Sequence, residues 1–129
     1  MAISKKKRSE VYAKYGGHCA YCGIEIEIND MQVDHFIPQY PWNRSDRIAW
    51  ESKYGSVDAI ENLMPSCRKC NNYKHSLMPE HFRREIMSLH ERARKYPMNE
   101  TARRYGIVTI VPWDGVFFYE KYKPSGREE

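Results

Sequence analysis

Two Cys-x-x-Cys pairs, Cys19 with Cys22 and Cys67 with Cys70, constrain this chain more than any other feature. A tight turn at that spacing points both sulfurs of a pair at one tetrahedral ion, so two pairs complete a four-thiolate shell. A closed shell leaves no position for water, which makes the expected zinc structural and a source of folding free energy. The rival readings are a redox dithiol, which needs a thioredoxin-like βαβ context absent here, and unrelated buried cysteines. The 44 residues between Cys22 and Cys67 exceed the needs of a simple zinc ribbon, so further machinery is expected between the knuckles.

A length of 129 residues suits one unit spanning 1–129, with a modest core of mixed α and β elements. Residues 4–15 read as a short amphipathic helix capped by Ser4 and stopped by Gly16-Gly17. The alternation of Ile24, Ile26 and Ile28 predicts a strand leaving the first knuckle, and "MQVDHFIP" predicts a second, ended by Pro38. A short helix is expected around Asp46 to Tyr54, and another after the second knuckle. Residues 79–96 predict one long helix, opened by Pro79, with Phe82, Ile86, Leu89, Ala93 and Tyr96 on one stripe. Residues 105–123 predict two C-terminal strands around a turn at Asp114-Gly115, and the last five or so residues read as disordered.

The net charge is +4, with Lys5, Lys6, Lys7 and Arg8 at the start and arginines crowding the second half. That excess favours a polyanionic partner, although a solvated basic face is the commoner cause. No apolar run approaches membrane-spanning length, and the lysine-rich start lacks the hydrophobic block of a secretory signal, so a cytoplasmic setting is expected. Disulfides are uncommon there, which strengthens the metal reading of the cysteines.

Between the knuckles, Asp34 and His35 interrupt an apolar strand. A helix beginning near Cys70 would carry Asn71, Lys74 and His75 at i, i+3 and i+4, and the shared zinc would tie that helix to the strand. A carboxylate, an imidazole, an amide oxygen and a lysine are the parts of metal-assisted phosphodiester hydrolysis: a cation bound by oxygen, a base for water and a positive charge for phosphate. Neighbours in a flat strand point to opposite faces, so Asp34 and His35 share a centre only where the strand bends or ends.

The ordered set "CAYC", "VDHFIP", "ENLMPSC" and "CRKCNNYK", from Cys19 to about Lys74, resembles the HNH endonucleases with a ββα-metal site and a zinc-binding knuckle pair. The resemblance implies a small α+β, treble-clef-like core at about 17–78 between the two knuckles, flanked by the N-terminal helix, the long helix and a C-terminal β-hairpin. It implies a divalent-metal-dependent endonuclease of bacterial or phage setting that hydrolyses DNA and leaves a 5′ phosphate. His35 would be the general base that deprotonates water, and Asp34 a ligand of the catalytic cation. Asn62 would hold the loop and imidazole in place, and Lys74 would touch phosphate or structure the helix. Asn71 stands where the family name expects the second histidine and would be the other ligand. An Asp-plus-Asn set offers only oxygen donors, which favours magnesium or manganese. His75 is a further candidate ligand or assistant, with a solvated side chain as the default. In the insert after Pro38, Trp42 and Trp50 are read as packing anchors before stacking platforms. The competing function is a catalytically silent, zinc-stabilised nucleic-acid-binding module, which would not need Asp34, His35 or Asn71.

Overall fold

A computed structural model describes residues 3–38 and 44–124, with the side chains of residues 44–47 and 54 outside the description. Trp42 and the final five residues therefore lie outside the described residues. The chain divides into two compact units, one formed by residues 1–79 with 117–129 and the other by residues 80–116.

In the first unit, helix α1 (Lys5–Ala13) starts where Ser4 Oγ accepts the Lys7 backbone N–H at 3.1 Å. This satisfies one of the donors that every helix start leaves open. Gly16 and Gly17 then reverse the chain with φ of +64° and +83°. A Cβ on Gly17 would stand 3.0 Å from the Tyr12 hydroxyl, which donates to Ile26 O at 2.7 Å and so ties α1 to the leg leaving the first knuckle.

Strand β1 (Gln32–His35) pairs antiparallel with β2 (Leu63–Ser66), matching Asp34 with Met64 and His35 with Leu63. Helix α2 (Arg44–Tyr54) occupies the long connection between them, and helix α3 (Arg68–Lys74) follows β2 directly. The order β1, β2, α3 is the expected ββα core. Val11 of α1, Met31 and Leu63 form its buried centre, with Ile26, Val33 and Ile60 packed against them. Arg8 donates to Ile28 O and Met31 O, and Lys14 to Ile60 O and Leu63 O. The basic start of the chain thus spends part of its charge on internal carbonyls.

Three expectations are corrected. The Ile24–Ile28 alternation does not build a strand: its pairing is an isolated bridge between His18 and Glu25, followed by a 3₁₀ turn at Ile28–Asp30. Only the short facing leg of the knuckle is available to pair with it.

The expected C-terminal hairpin is absent among the described residues. Residues 105–116 run without strand pairing, and a short helix α7 (Phe118–Lys121) follows. The backbone donors go elsewhere: Phe118 N bonds Tyr21 O and Tyr119 N bonds Ala20 O, at 3.1 and 2.7 Å. The expected turn is present, with Gly115 at φ +84° and Val116 N on Asp114 Oδ1.

The expected helix over 79–96 is two segments, α4 (Pro79–Met87) and α5 (Leu89–Lys95). Ser88 separates them, its hydroxyl donating back to Glu85 O at 2.7 Å, a side-chain bond that competes with the helical ladder. The stripe is buried at Phe82 but leaves Tyr96 58% exposed. Helix α6 (Pro97–Arg104) completes the helices of the second unit, where Arg83 also reaches Gly115 O at 2.6 Å. Arg94 with Glu91 and Arg104 with Glu100 make exposed ion pairs there, of the kind that adds little stability.

Candidate active site

The four cysteine sulfurs converge within 4.8 Å of one another, and Cys22 Sγ lies 3.8 Å from Cys67 Sγ. Thiolates about 2.3 Å from a tetrahedral zinc are separated by roughly 3.8 Å, so the cluster fits that ion with little closure. Each knuckle has its own local cause. In the first, Gly23 at φ +82° lets its N–H return to Cys19 O while Cys19 N bonds Ile24 O. In the second, Cys67 caps α3 and its sulfur accepts the Cys70 N–H at 3.4 Å. Hydrogen bonds from Cys22 and Cys70 hold Cys19 well below the ordinary thiol range, and the bond to Cys19 pushes Cys22 up to about 11.

The cysteine cluster joins the turn between β2 and α3 to the first knuckle, and a second group of polar side chains is assembled beside it. Asp34, His35 and Asn71 line one cavity of about 350 Å³ together with Val33, Pro38, His75 and Ser76. The conflict between neighbours on a flat strand is resolved because His35 is the last residue of β1. Beyond it the chain is gripped by Asn62, whose amide accepts from Ile37 N at 2.8 Å and donates to Ile37 O and Val57 O at 2.9 Å.

Asp34 is 4% exposed, an unusual place for a carboxylate on a strand. Its Oδ2 accepts the Tyr21 hydroxyl at 2.5 Å and faces Lys74 Nζ at 3.1 Å. Lys74 is fully buried and also donates to His35 O at 2.9 Å. One ammonium therefore fixes both the carboxylate and the backbone of the neighbouring imidazole. Burial raises the Asp34 pKa and lowers that of Lys74, and each partner pulls the other back toward its charged form. Burial likewise lifts Tyr21 well above the ordinary phenol range, which keeps it a donor to Asp34. Oδ1 of Asp34 and the side-chain amide of Asn71 receive no hydrogen bond from the described residues, so two oxygens remain for a hard cation.

Of the sequence-level candidates, Lys74 faces the interior, while Asn71 and His75 border the cavity. His75 lies just past α3, in a strained conformation at φ +32°, with its N–H on Asn71 O. Two residues were missed. Tyr21, inside the first knuckle, supports Asp34 and is backed by Phe117 in an edge contact at 5.4 Å. Asp58 places Oδ1 2.9 Å from His35 Nε2, although 23 residues separate the two. No periodicity marks either; they follow from the aromatic C-terminal segment and from the Asn62 clamp. The indole nitrogen of Trp50 is withdrawn from solvent, in line with a packing anchor.

A zinc-type knuckle pair with an Asp-His strand, a clamping Asn and an Asn-bearing helix defines a class, and the HNH endonuclease family model matches residues 19–77. That segment, somewhat under half of the chain, is similar to HNH endonuclease domains. Among individual proteins, it is 32% identical over 56 residues to the CRISPR-associated endonuclease Cas9 of Corynebacterium diphtheriae. The match covers 43% of this chain and 4% of that protein's length. The crystal structure of the Type II-C Cas9 enzyme from Actinomyces naeslundii aligns with a TM-score of 0.46 and 21% identity, over 81% of this chain and 11% of that one. Among the described residues no helix is long and apolar enough to cross a membrane.

Proposed function

We propose that this protein is a divalent-metal-dependent endonuclease that hydrolyses DNA phosphodiester bonds with water activated by His35. The observation that carries the reading is the shared cavity of Asp34, His35 and Asn71 inside a segment that matches the HNH endonuclease model. In this reading His35 removes a proton from water as its oxygen bonds to phosphorus, the bond to the 3′ oxygen breaks, and a 5′ phosphate remains. Asp34 and Asn71 hold magnesium or manganese, which when bound stabilises negative charge on the phosphate and the leaving oxygen. Lys74 and Tyr21 hold Asp34 in place, so Lys74 acts as a positioning residue from the interior. Asn62 sets where the chain turns after His35. The zinc at Cys19, Cys22, Cys67 and Cys70 is structural and fixes α3 relative to the strands.

The test is incubation of the zinc-loaded chain with supercoiled, linear and single-stranded DNA, and with RNA, in magnesium or manganese. Cleavage of DNA that stops when the divalent cation is withheld is expected. Binding without cleavage under every condition would refute the enzyme and leave the silent binding module.

A further inference from the structure

We infer that Asp58 is the positioning residue of the general base: its carboxylate fixes the His35 tautomer so that Nδ1 carries the lone pair that takes the proton from water. The inference rests on the nuclease reading and adds to it a residue outside the ordered motif set. An ionised carboxylate only accepts hydrogen bonds, so the 2.9 Å contact of Asp58 Oδ1 with His35 Nε2 requires the imidazole proton on Nε2. Nδ1 is then unprotonated in the neutral ring, and no described residue donates to it. His35 lines the cavity shared with Asp34 and Asn71, where a base would be used.

The placement of Asp58 is built rather than incidental. Its backbone carbonyl accepts Lys7 Nζ at 2.6 Å. The preceding carbonyl, of Val57, accepts from the same Asn62 amide that grips Ile37, two residues past the histidine. One side chain therefore joins the turn bearing the acid to the strand end bearing the base. His35 and Asp58 side chains are 22% and 35% exposed, so the pair is shielded in part but reachable by water. Such a carboxylate holds the plane and tautomer of the imidazole, and losing an orienting partner of this kind costs on the order of 10- to 100-fold in activity.

The experiment compares the full zinc-loaded chain with Asp58→Asn, Asp58→Glu and His35→Ala. Long-range proton–nitrogen correlation of the imidazoles should show His35 protonated at Nε2 in the native protein. A shift toward mixed tautomers is expected in Asp58→Asn, with zinc content and circular dichroism unchanged. In magnesium, Asp58→Asn should lower kcat on DNA by about 10- to 100-fold with KM within about twofold, and Asp58→Glu should regain part of the loss. Adding Asp58→Asn to His35→Ala should cost nothing further, because the two residues act as a unit. Native His35 protonated at Nδ1, or an Asp58→Asn protein that cuts at the native rate, would overturn the inference while sparing the nuclease reading. If Asp58→Asn loses its fold, a folded Asp58→Glu that keeps part of the native activity with His35 protonated at Nε2 supports the role, and one that cuts with His35 protonated at Nδ1 overturns it. A native chain that cuts nothing overturns the nuclease reading itself.

Discussion

Lys74→Met should be among the most damaging single changes outside the zinc ligands. The substitution keeps most of the side-chain volume and removes only the ammonium. It strands Asp34, at 4% exposure, with Tyr21 as the remaining hydrogen-bond donor to its carboxylate, and it leaves His35 O without its lysine. Breaking one partner out of a buried ion pair costs about 3–5 kcal/mol, because the surviving charge stays buried. Against a total of about 5–15 kcal/mol for a typical domain, that is a large share of the stability. Removing both charges should be milder: in Lys74→Met with Asp34→Asn, the neutral amide oxygen still accepts the Tyr21 hydroxyl. The double variant should therefore recover about 1–3 kcal/mol relative to Lys74→Met alone, within the range of couplings seen for contacting residues. Urea unfolding at fixed free zinc, followed by tyrosine and tryptophan fluorescence, measures both differences. A Lys74→Met protein within about 0.5 kcal/mol of native, or a double variant less stable than the single, would refute the account of this pair.

Zinc should bind at one ion per chain, and a strong chelator or Cys67→Ser should unfold the first unit, read by circular dichroism and metal analysis. Tyr21→Phe removes a donor from a buried carboxylate and should cost about 1.5–3 kcal/mol in urea unfolding. Gly23→Ala should destabilise the first knuckle by more than about 1 kcal/mol, since its Cβ would stand 2.7 Å from Phe118 Cδ1 at φ +82°; an unchanged Tm would contradict this.

The parts legible in sequence were those decided by local spacing. The Cys-x-x-Cys turns, the Ser4 cap, strand β1 and the helix after the second knuckle follow from neighbours within a few residues, whereas strand β2 at Leu63–Ser66 carries no such local mark. What escaped depends on where distant backbone donors find acceptors. The C-terminal alternation has a strand's period but no partner strand among the described residues, and its N–H groups bond the first knuckle instead. Asp58 reaches His35 where Asn62 ties Val57, its preceding neighbour, to Ile37, two residues past the histidine. Lys74 shows the same limit from another side: its position on α3 was readable, its complete burial was not.

The most direct measurement is single-turnover cleavage of supercoiled DNA in magnesium by the native chain and by His35→Ala, with DNA binding followed in parallel by fluorescence anisotropy. The account predicts that the native chain nicks the plasmid, that His35→Ala loses cleavage by about 100-fold or more, and that both bind DNA with similar affinity. A His35→Ala protein that cuts as fast as native would contradict it.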